Sequence, residues 1–453
     1  MQKILCYCQV IVALMMMSCE RFLDEKMVKS LTVPTTTQDL EALLKATGKI
    51  NISVMPSLLE IGADDYRVNE SGFNNLTEFE RRTYTWAVDM DYQLVNMANE
   101  WSKSYEIVLI ANTVLEYLPK VEGTEIDKKR LRGEALFIRS WCFYNLAQVY
   151  CSVYMPNSDN AGLGIPLRVH SDLNVGSSRA TVAETYAMIV SDLLEATTLL
   201  STNRTHVTRP DRTASLALLA RAYLAMSDYD NALRFSREAL QAKDDLMDYN
   251  SIKVNDRIPF ERFNKEVLYH STTAFMQVLN PTISYVDPEL IGLYKDGDLR
   301  KSAFFTLAKE GYFTFKGSYD GTISGSHFVG LTTAELYLIL AETLVRGNKV
   351  KEGVDVLNNL LKKRCDKNSF IPLSIHDKDE ALKEILDERR KELVFRGVRW
   401  TDIRRLNLDG RFARTLTRTV AGETFILPPN DPRFVYLIPQ DVIHFSGMAQ
   451  NKR

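Results

Sequence analysis

The sequence predicts a mainly α protein, a tetratricopeptide-like (TPR-like) helical-repeat scaffold with two loop-rich insertions and at most short strands. Three observations support this prediction. Apolar residues recur at three- and four-residue intervals along much of the chain, one helix pair occurs twice at a constant spacing, and two long segments rich in Gly, Pro, Asn and Asp interrupt the helical pattern. We expect residues 38–453 to form a single domain.

The first 18 residues are predicted to be a lipoprotein signal peptide. Lys3 supplies a positive charge, and residues 4–17 form an apolar run too short to cross a bilayer as a helix. A small residue precedes Cys19, so we expect Cys19 to become the lipidated N-terminus, with each buried methylene adding about 0.8 kcal/mol of membrane affinity. An ordinary secretory signal is the alternative. Residues 19–37 are predicted to be an extended tether.

The composition argues against several classes of protein. A net charge of -2 provides no basic surface for nucleic acid, and after residue 19 no apolar run is long enough to span a membrane. Of the six cysteines, Cys142, Cys151 and Cys365 lie beyond the signal peptide and Cys19, without metal-ligand spacing. We therefore predict no metal site, no cofactor and no nucleic-acid partner.

The N-terminal part of the domain is predicted to contain one short helix, an insertion and a helical hairpin. Apolar residues at helical spacing indicate a helix over 39–46, capped by the turn-forming residues 34–37. Residues 51–90 lose the helical pattern and form the first loop-rich insertion. The pattern returns over 97–151, where Pro119 ends the first of two helices and the second is apolar on much of its circumference.

The repeated helix pair lies in the second half of the chain. The segment that begins at Leu219 and contains Ala232 is reproduced by the segment that begins at Leu340 and contains Gly353, with small residues where paired helices cross. Each pair leaves an apolar face that must stack on a neighbour. We therefore predict TPR-like helix pairs at about 97–151, 181–242 and 332–395.

The second loop-rich insertion is predicted at about 244–331, between the two copies of the repeat. It mixes Gly, Pro, Asp and aromatic residues, and short strands are expected near 267–275 and 312–315. Loops carried on a rigid scaffold commonly form binding surfaces.

The charged segment from Glu388 to Arg405 resembles a catalytic centre only superficially. We predict that Glu388, Glu392, Arg389 and Arg399 form ion pairs and caps that hold the last helices together. Common hydrolase, metalloprotease and phosphate-binding motifs are missing from the sequence, and the six histidines are scattered. We therefore predict that the protein has no catalytic residues.

Several segments together resemble the SusD/RagB family of surface lipoproteins of Bacteroidota. The matching residues are FLD at 22–24, Tyr84, Trp86, Trp101, Tyr105, IAN at 110–112, RGEALFIRS at 132–140, GIPL at 164–167, ERRKEL at 388–393, Phe395, Gly397, RWTDIRR at 399–405, YLIP at 436–439 and QN at 450–451. Arg396 replaces a usual acidic residue, and Phe445-Ser446 replaces a common Asn-Pro. The resemblance runs along the whole mature chain.

The resemblance implies a ligand-capture protein rather than an enzyme. It implies an outer-membrane protein, anchored by its lipid and facing the cell exterior, that binds oligosaccharides and delivers them to a SusC-like TonB-dependent transporter. Two alternatives remain: capture of peptides for the same type of transporter, and a lipid-anchored TPR adaptor without a small ligand. The family motifs are mainly structural, so they do not identify the ligand.

Candidate ligand-binding residues are aromatic and polar side chains of the two insertions. Aromatic planes stack on the apolar faces of sugar rings, and Asn or Arg side chains reach hydroxyl groups. The alternative is that the aromatic side chains pack the loops onto the helical frame. The candidates are Tyr66, Arg67, Asn69, Phe73, Asn74 and Asn75 in the first insertion and Tyr285, Tyr294, Tyr312 and Tyr319 in the second.

The tryptophans are weaker candidates for ligand binding. Trp86 and Trp101 coincide with positions typical of the family, and Trp141 lies within an apolar helix. All three are therefore expected in the core.

Overall fold

A computed structural model describes residues 33–89, 100–203 and 205–453. The predicted signal peptide, Cys19 and the tether as far as residue 32 lie outside the described residues. Among the helices within those ranges, none has both the length and the apolar character needed to cross a membrane.

The predicted fold class is confirmed, because helices dominate the described residues and the strands are short. The α-helices are α1 Thr37–Leu44, α2 Thr47–Ile50, α3 Leu58–Ile61, α4 Glu70–Asn74, α5 Glu78–Tyr84, α6 Glu100–Tyr117, α7 Glu125–Tyr150, α8 Val182–Leu199, α9 Arg212–Ala225, α10 Tyr229–Ala242, α11 Pro288–Gly292, α12 Leu299–Phe304, α13 Thr333–Arg346, α14 Val350–Leu361, α15 Lys378–Glu392, α16 Arg399–Leu406 and α17 Gln440–Ser446.

Ten short strands form five antiparallel two-stranded ribbons within the same residues. The strands are β1 Tyr66–Val68, β2 Leu163–Pro166, β3 Arg179–Thr181, β4 Val267–Tyr269, β5 Ser284–Val286, β6 Phe305–Leu307, β7 Phe313–Phe315, β8 Leu331–Thr332, β9 Leu416–Val420 and β10 Glu423–Leu427. The pairs are β1–β5, β2–β3, β4–β8, β6–β7 and β9–β10. Strands near β4 and β7 were expected from the sequence, whereas the β9–β10 hairpin was not.

Helix α7 is the centre of the larger core. It spans 26 residues, and every residue from Gly133 to its end is buried. Its Arg139 donates to Asp192 of α8 at 2.7 and 2.9 Å and to Asn112 of α6 at 3.0 Å, so one buried guanidinium links three helices. Trp86, Trp101 and Trp141 are all buried, as the sequence predicts.

The two copies of the repeat form the helix pairs α9–α10 and α13–α14. Ala232 and Gly353 occupy the predicted crossing positions, and both are buried. A Cβ added to Gly353 would lie 2.6 Å from Val345 Cγ2 and 2.8 Å from the Ala341 carbonyl oxygen. The second helix pair therefore requires the absence of a side chain at this crossing.

The charged C-terminal segment forms buried ion pairs, which confirms that part of the prediction made for it. Arg389 Nε lies 2.8 Å from Asp402 of α16, and Arg399 Nε lies 2.7 Å from Asp64 of the first insertion. These contacts fix α15 and α16 against the insertion and against each other. Two further pairs, Arg300–Glu388 at 2.6 Å and Arg364–Glu392 at 2.9 Å, bind α15 to the second insertion and to the end of α14.

Candidate functional site

The β1–β5 ribbon joins the two insertions and positions the candidate site. Arg67 lies opposite Tyr285 in the ladder, between the pairs Tyr66–Val286 and Val68–Ser284. Because side chains alternate between the faces of a strand, burial of Tyr66 and Val68 leaves Arg67 on the outer face. The outer face of this ribbon is therefore a surface to which both insertions contribute.

Tyr285 and Tyr312 form an aromatic pair beside Arg67. Their ring centroids are 5.0 Å apart and their planes are inclined by 39°. Both side chains are partly exposed. Tyr312 is held by the turn of the β6–β7 hairpin, where its carbonyl oxygen accepts the Ala308 N–H at 2.8 Å. The pair presents an aromatic surface at the edge of the ribbon.

Asp287 orients the Arg67 guanidinium, and sequence reasoning missed it. Its Oδ2 accepts from Arg67 Nε at 2.8 Å, while its Oδ1 accepts the Glu289 N–H at 2.8 Å and caps α11. The Arg67 side chain is 51% exposed, whereas that of Asp287 is 13% exposed. The sequence does carry a local signal, because Asp287 precedes Pro288 at the start of a helix.

Asn69 extends the polar part of this surface. Its backbone N–H donates to the Ile283 carbonyl at 3.0 Å, which continues the ladder by one residue beyond β1. Arg67 and Asn69 therefore lie on the same face of the ribbon. At the usual rise of about 3.3 Å per residue, their Cα atoms are about 6.6 Å apart. Asn69 Oδ1 accepts the Gly72 N–H at 2.7 Å and caps α4. We call Arg67, Asn69, Tyr285 and Tyr312 the ribbon site.

Four other candidates lie in the core and are not available to a ligand. Tyr66 donates to the Ile61 carbonyl at 3.1 Å, and Tyr294 donates to the Lys391 carbonyl at 2.8 Å. Tyr319 donates to Glu266 at 2.9 Å and is fully buried. Phe73 packs against Tyr84, with centroids 5.9 Å apart. These side chains fix the insertions to the helices, so the structure does not support the expectation that they contact a ligand.

The last two candidates, Asn74 and Asn75, are exposed at the end of α4. Asn75 Nδ2 donates to the Ser71 carbonyl at 2.9 Å, and the Asn75 side chain is therefore hydrogen-bonded to the helix that it ends. They border the ribbon site through α4, which begins directly after Asn69.

A buried tyrosine forms part of the support beneath the ribbon. The Tyr84 hydroxyl accepts the Val68 N–H at 3.0 Å. Burial raises the pKa of Tyr84 above its ordinary value, although Arg418 lies over its ring at 4.0 Å. The hydroxyl therefore stays protonated at neutral pH and holds β1 as a hydrogen-bond acceptor.

A separate cleft of about 860 Å³ lies between α6, the loop at 166–178 and α17. Two of its polar side chains bond to the protein: Asn112 Nδ2 donates to the Arg168 carbonyl at 2.9 Å, and Tyr105 donates to the Pro166 carbonyl at 2.8 Å. Leu173 and Phe445, which also line it, are 73% and 86% exposed. The cleft therefore combines polar side chains with exposed apolar ones.

Within the described residues, no group of three or more His, Cys, Asp or Glu side chains is arranged to hold a metal ion.

Comparison with known families gives two matches in successive parts of the chain. A model described as SusD-like, starch-binding and associating with the outer membrane matches residues 21–224. A model described as the SusD family matches residues 301–433.

Relatives and solved structures agree with these matches. SusD-like protein P38 of Formosa agariphila is 22% identical over 380 residues, covering 68% of this chain and 72% of that protein. A SusD superfamily structure from Bacteroides thetaiotaomicron has a TM-score of 0.76 at 20% identity, covering 92% of this chain and 100% of the other. A SusD-like carbohydrate-binding protein from Bacteroides vulgatus has a TM-score of 0.68 at 20% identity, covering 91% and 97%.

Proposed function

This chain belongs to the SusD family, and we propose that it captures oligosaccharides at the cell surface and delivers them to a TonB-dependent outer-membrane transporter. The family description associates its members with starch binding and the outer membrane. On this proposal the protein is a binding protein, not an enzyme. It needs neither cofactor nor metal.

The ribbon site is the observation that carries the proposal. The partly exposed Tyr285–Tyr312 pair, 5.0 Å between centroids, provides an aromatic plane against which the apolar face of a sugar ring can stack. Arg67 and Asn69 lie beside it and can donate to sugar oxygens. Small-ligand sites commonly combine an apolar surface with a few fixed polar groups in this way.

A peptide ligand is the second candidate, and its chemistry differs. A bound peptide typically pairs its backbone with a free strand edge or fills pockets with alternate side chains. Strand β1 is a three-residue strand paired to β5, so its remaining edge is short. An aromatic pair with adjacent donors therefore favours a sugar over an extended peptide.

The cleft between α6 and α17 is a candidate contact surface for a protein partner. Leu173 and Phe445 are exposed apolar side chains at this cleft, and a contact with the transporter would cover them. The same surface would serve the adaptor alternative, in which the helices bind a protein and the insertions bind nothing. Binding of a ligand at the ribbon site would distinguish ligand capture from the adaptor function.

The proposed location rests on Cys19, which lies outside the described residues. We propose that lipid on Cys19 anchors the protein in the outer membrane with its body facing the exterior. Cys19→Ala should release the protein from membranes. Protease added to intact cells should degrade the wild-type body, whereas protection would place it in the periplasm.

Binding of a soluble form that begins at residue 20 tests the ligand class. The protein is applied to an array of neutral, uronic-acid and sulfated oligosaccharides and to a library of peptides. Binding to one or more glycans supports the proposal. Binding to peptides alone favours the second candidate, and binding to neither favours the adaptor.

A further inference from the structure

We propose that the ribbon site selects glycans that carry an anionic group, either the carboxylate of a uronic acid or a sulfate ester, and that Arg67 recognises this group. The inference rests on the proposed function, because it assumes that the ribbon site binds a glycan. It adds the chemical class of that glycan.

Free hydrogen-bond donors outnumber free acceptors in the ribbon site. Asp287 Oδ1 and Oδ2 both accept hydrogen bonds from the protein, and Asn69 Oδ1 accepts the Gly72 N–H. The hydrogen bonds of the described residues do not use Arg67 Nη1, Arg67 Nη2 or Asn69 Nδ2. The Tyr285 and Tyr312 hydroxyls can each donate and accept, so the N–H groups of Arg67 and Asn69 give the site its excess of donors. A sugar hydroxyl brings a proton that needs an acceptor, whereas a carboxylate or sulfate group brings acceptors alone.

The Arg67 guanidinium is oriented by a contact with Asp287. Asp287 holds Nε at 2.8 Å, so the edge formed by Nη1 and Nη2 is left for a ligand. Two parallel N–H groups on a planar fork match two oxygens of one carboxylate or sulfate. The Arg67 side chain is 51% exposed, so this edge can be reached from outside. Orientation by a mostly buried aspartate reduces the entropy lost when the ligand binds.

Two carboxylates that follow β5 are already paired with cations. Asp287 pairs with Arg67, so these two charges offset each other, and Glu289 is bound by Arg414 and lies 3.5 Å from Arg390. Neither carboxylate is therefore an unpaired negative charge. Glu70, which follows Asn69, and Glu310, two residues before Tyr312, are exposed.

Matched glycan pairs test the inference with the soluble form that begins at residue 20. Oligogalacturonate is compared with its methyl ester, and κ-carrageenan oligosaccharides with their desulfated form, by calorimetric titration. The first pair tests a carboxylate and the second a sulfate. We expect one anionic member to bind at least about 10-fold more tightly than its neutral partner, because hydrogen bonds to charged groups contribute this much.

Variants assign the effect to Arg67. Arg67→Gln should weaken binding of the anionic glycan by about 10- to 100-fold, and Arg67→Lys should retain part of the affinity. Arg262→Gln is the matched control, since Arg262 is 43% exposed and paired with Asp320 in the second insertion. The control should leave the affinity unchanged.

Three results would overturn the inference and leave the proposed function intact. They are equal binding of the neutral and anionic members, anionic binding unaffected by Arg67→Gln, and binding of neutral glycans alone on the array. If no glycan of any class binds, the proposed function fails together with the inference.

Discussion

Arg67 and Tyr285 face each other across the β1–β5 ribbon, although one belongs to the first insertion and the other to the second. Tyr66 and Val68, on either side of Arg67 in β1, are buried on the inner face of the ribbon. On the outer face, Tyr312 packs against Tyr285. Neither insertion contains all four residues of the ribbon site by itself. The helical scaffold therefore acts as the frame that brings two distant loop segments together.

The orientation of Arg67 by Asp287 leads to a first prediction. Asp287→Asn keeps a side chain that caps α11 but removes the negative charge that holds Arg67 Nε. We expect the affinity for the glycan to fall about threefold to tenfold, while the free energy of unfolding changes by less than about 1 kcal/mol. Calorimetric titration and urea unfolding measure the two quantities.

Asp248→Asn is the control for this change. Asp248 also caps a short helical turn, at Tyr249–Ser251, and pairs with Lys363 at 3.1 Å away from the ribbon site. It should alter stability as little as Asp287→Asn does and leave affinity unchanged. Equal affinities for the wild type and Asp287→Asn would show that Asp287 does not position Arg67 for binding.

The crossing at Gly353 leads to a second prediction. Gly353→Ala places a methyl group 2.6 Å from Val345 Cγ2 and 2.8 Å from the Ala341 carbonyl oxygen, so α13 and α14 must separate. Overpacking of this kind costs about 1–3 kcal/mol. Gly410→Ala is the control, because a Cβ there meets nothing within 4 Å. A Gly353→Ala protein as stable to urea as the wild type would contradict the observed crossing.

The buried ion pairs lead to a third prediction. Arg364→Met leaves Glu392 and Glu266 buried without the guanidinium that binds both, at 2.9 and 2.8 Å. Breaking one partner of a buried pair costs about 3–5 kcal/mol. Lys351→Met, which removes an exposed pair with Asp355, should cost less than about 1 kcal/mol. Similar urea midpoints for the two variants would count against the proposed difference in burial.

A buried histidine leads to a fourth prediction, on pH. Burial lowers the pKa of His327 from 6.5 to about 4, and its ring packs between Phe315 and Phe395 at 5.5 and 5.0 Å. The unfolded chain therefore takes up this proton at a higher pH than the folded protein does. The contribution of His327 to stability is complete above about pH 6.5 and is lost as pH falls towards about 4.

The measurement is the free energy of unfolding at several pH values between about 4 and 7 for the wild type and His327→Gln. The variant should be less stable at about pH 7, yet its stability should fall less steeply as pH falls through this range. If the free energies of unfolding of the two proteins fell in parallel with pH, His327 would not be the group that causes the loss of stability.

The sequence was sufficient to predict the helical scaffold. Repeated spacing and small residues at Ala232 and Gly353 encode contacts between neighbouring helices, so a local pattern reports them directly. The ion pairs of the charged segment were also predictable, since Arg389 and Arg399 pair with Asp402 and Asp64.

The candidate site was less predictable than the scaffold, for a physical reason. Arg67 and Asp287 are 220 residues apart, and no local pattern indicates that β1 pairs with β5. Contacts between distant segments also decide which tyrosines are buried, so exposed and buried tyrosines cannot be distinguished from the sequence. Tyr319 and Tyr285 lie in similar loop sequence, but Glu266 and Tyr249 bind the Tyr319 hydroxyl inside the core, both at 2.9 Å.

In the proposed function, the Tyr285–Tyr312 pair stacks on the captured glycan. The most direct test is calorimetric titration of the best-binding array glycan into the wild type and the double variant Tyr285→Ala/Tyr312→Ala, with Tyr294→Phe as a core control. We predict that the double variant loses at least about 1.4 kcal/mol of binding free energy, about a tenfold loss of affinity, while the control binds as the wild type does. Unchanged affinity in the double variant would contradict the proposal.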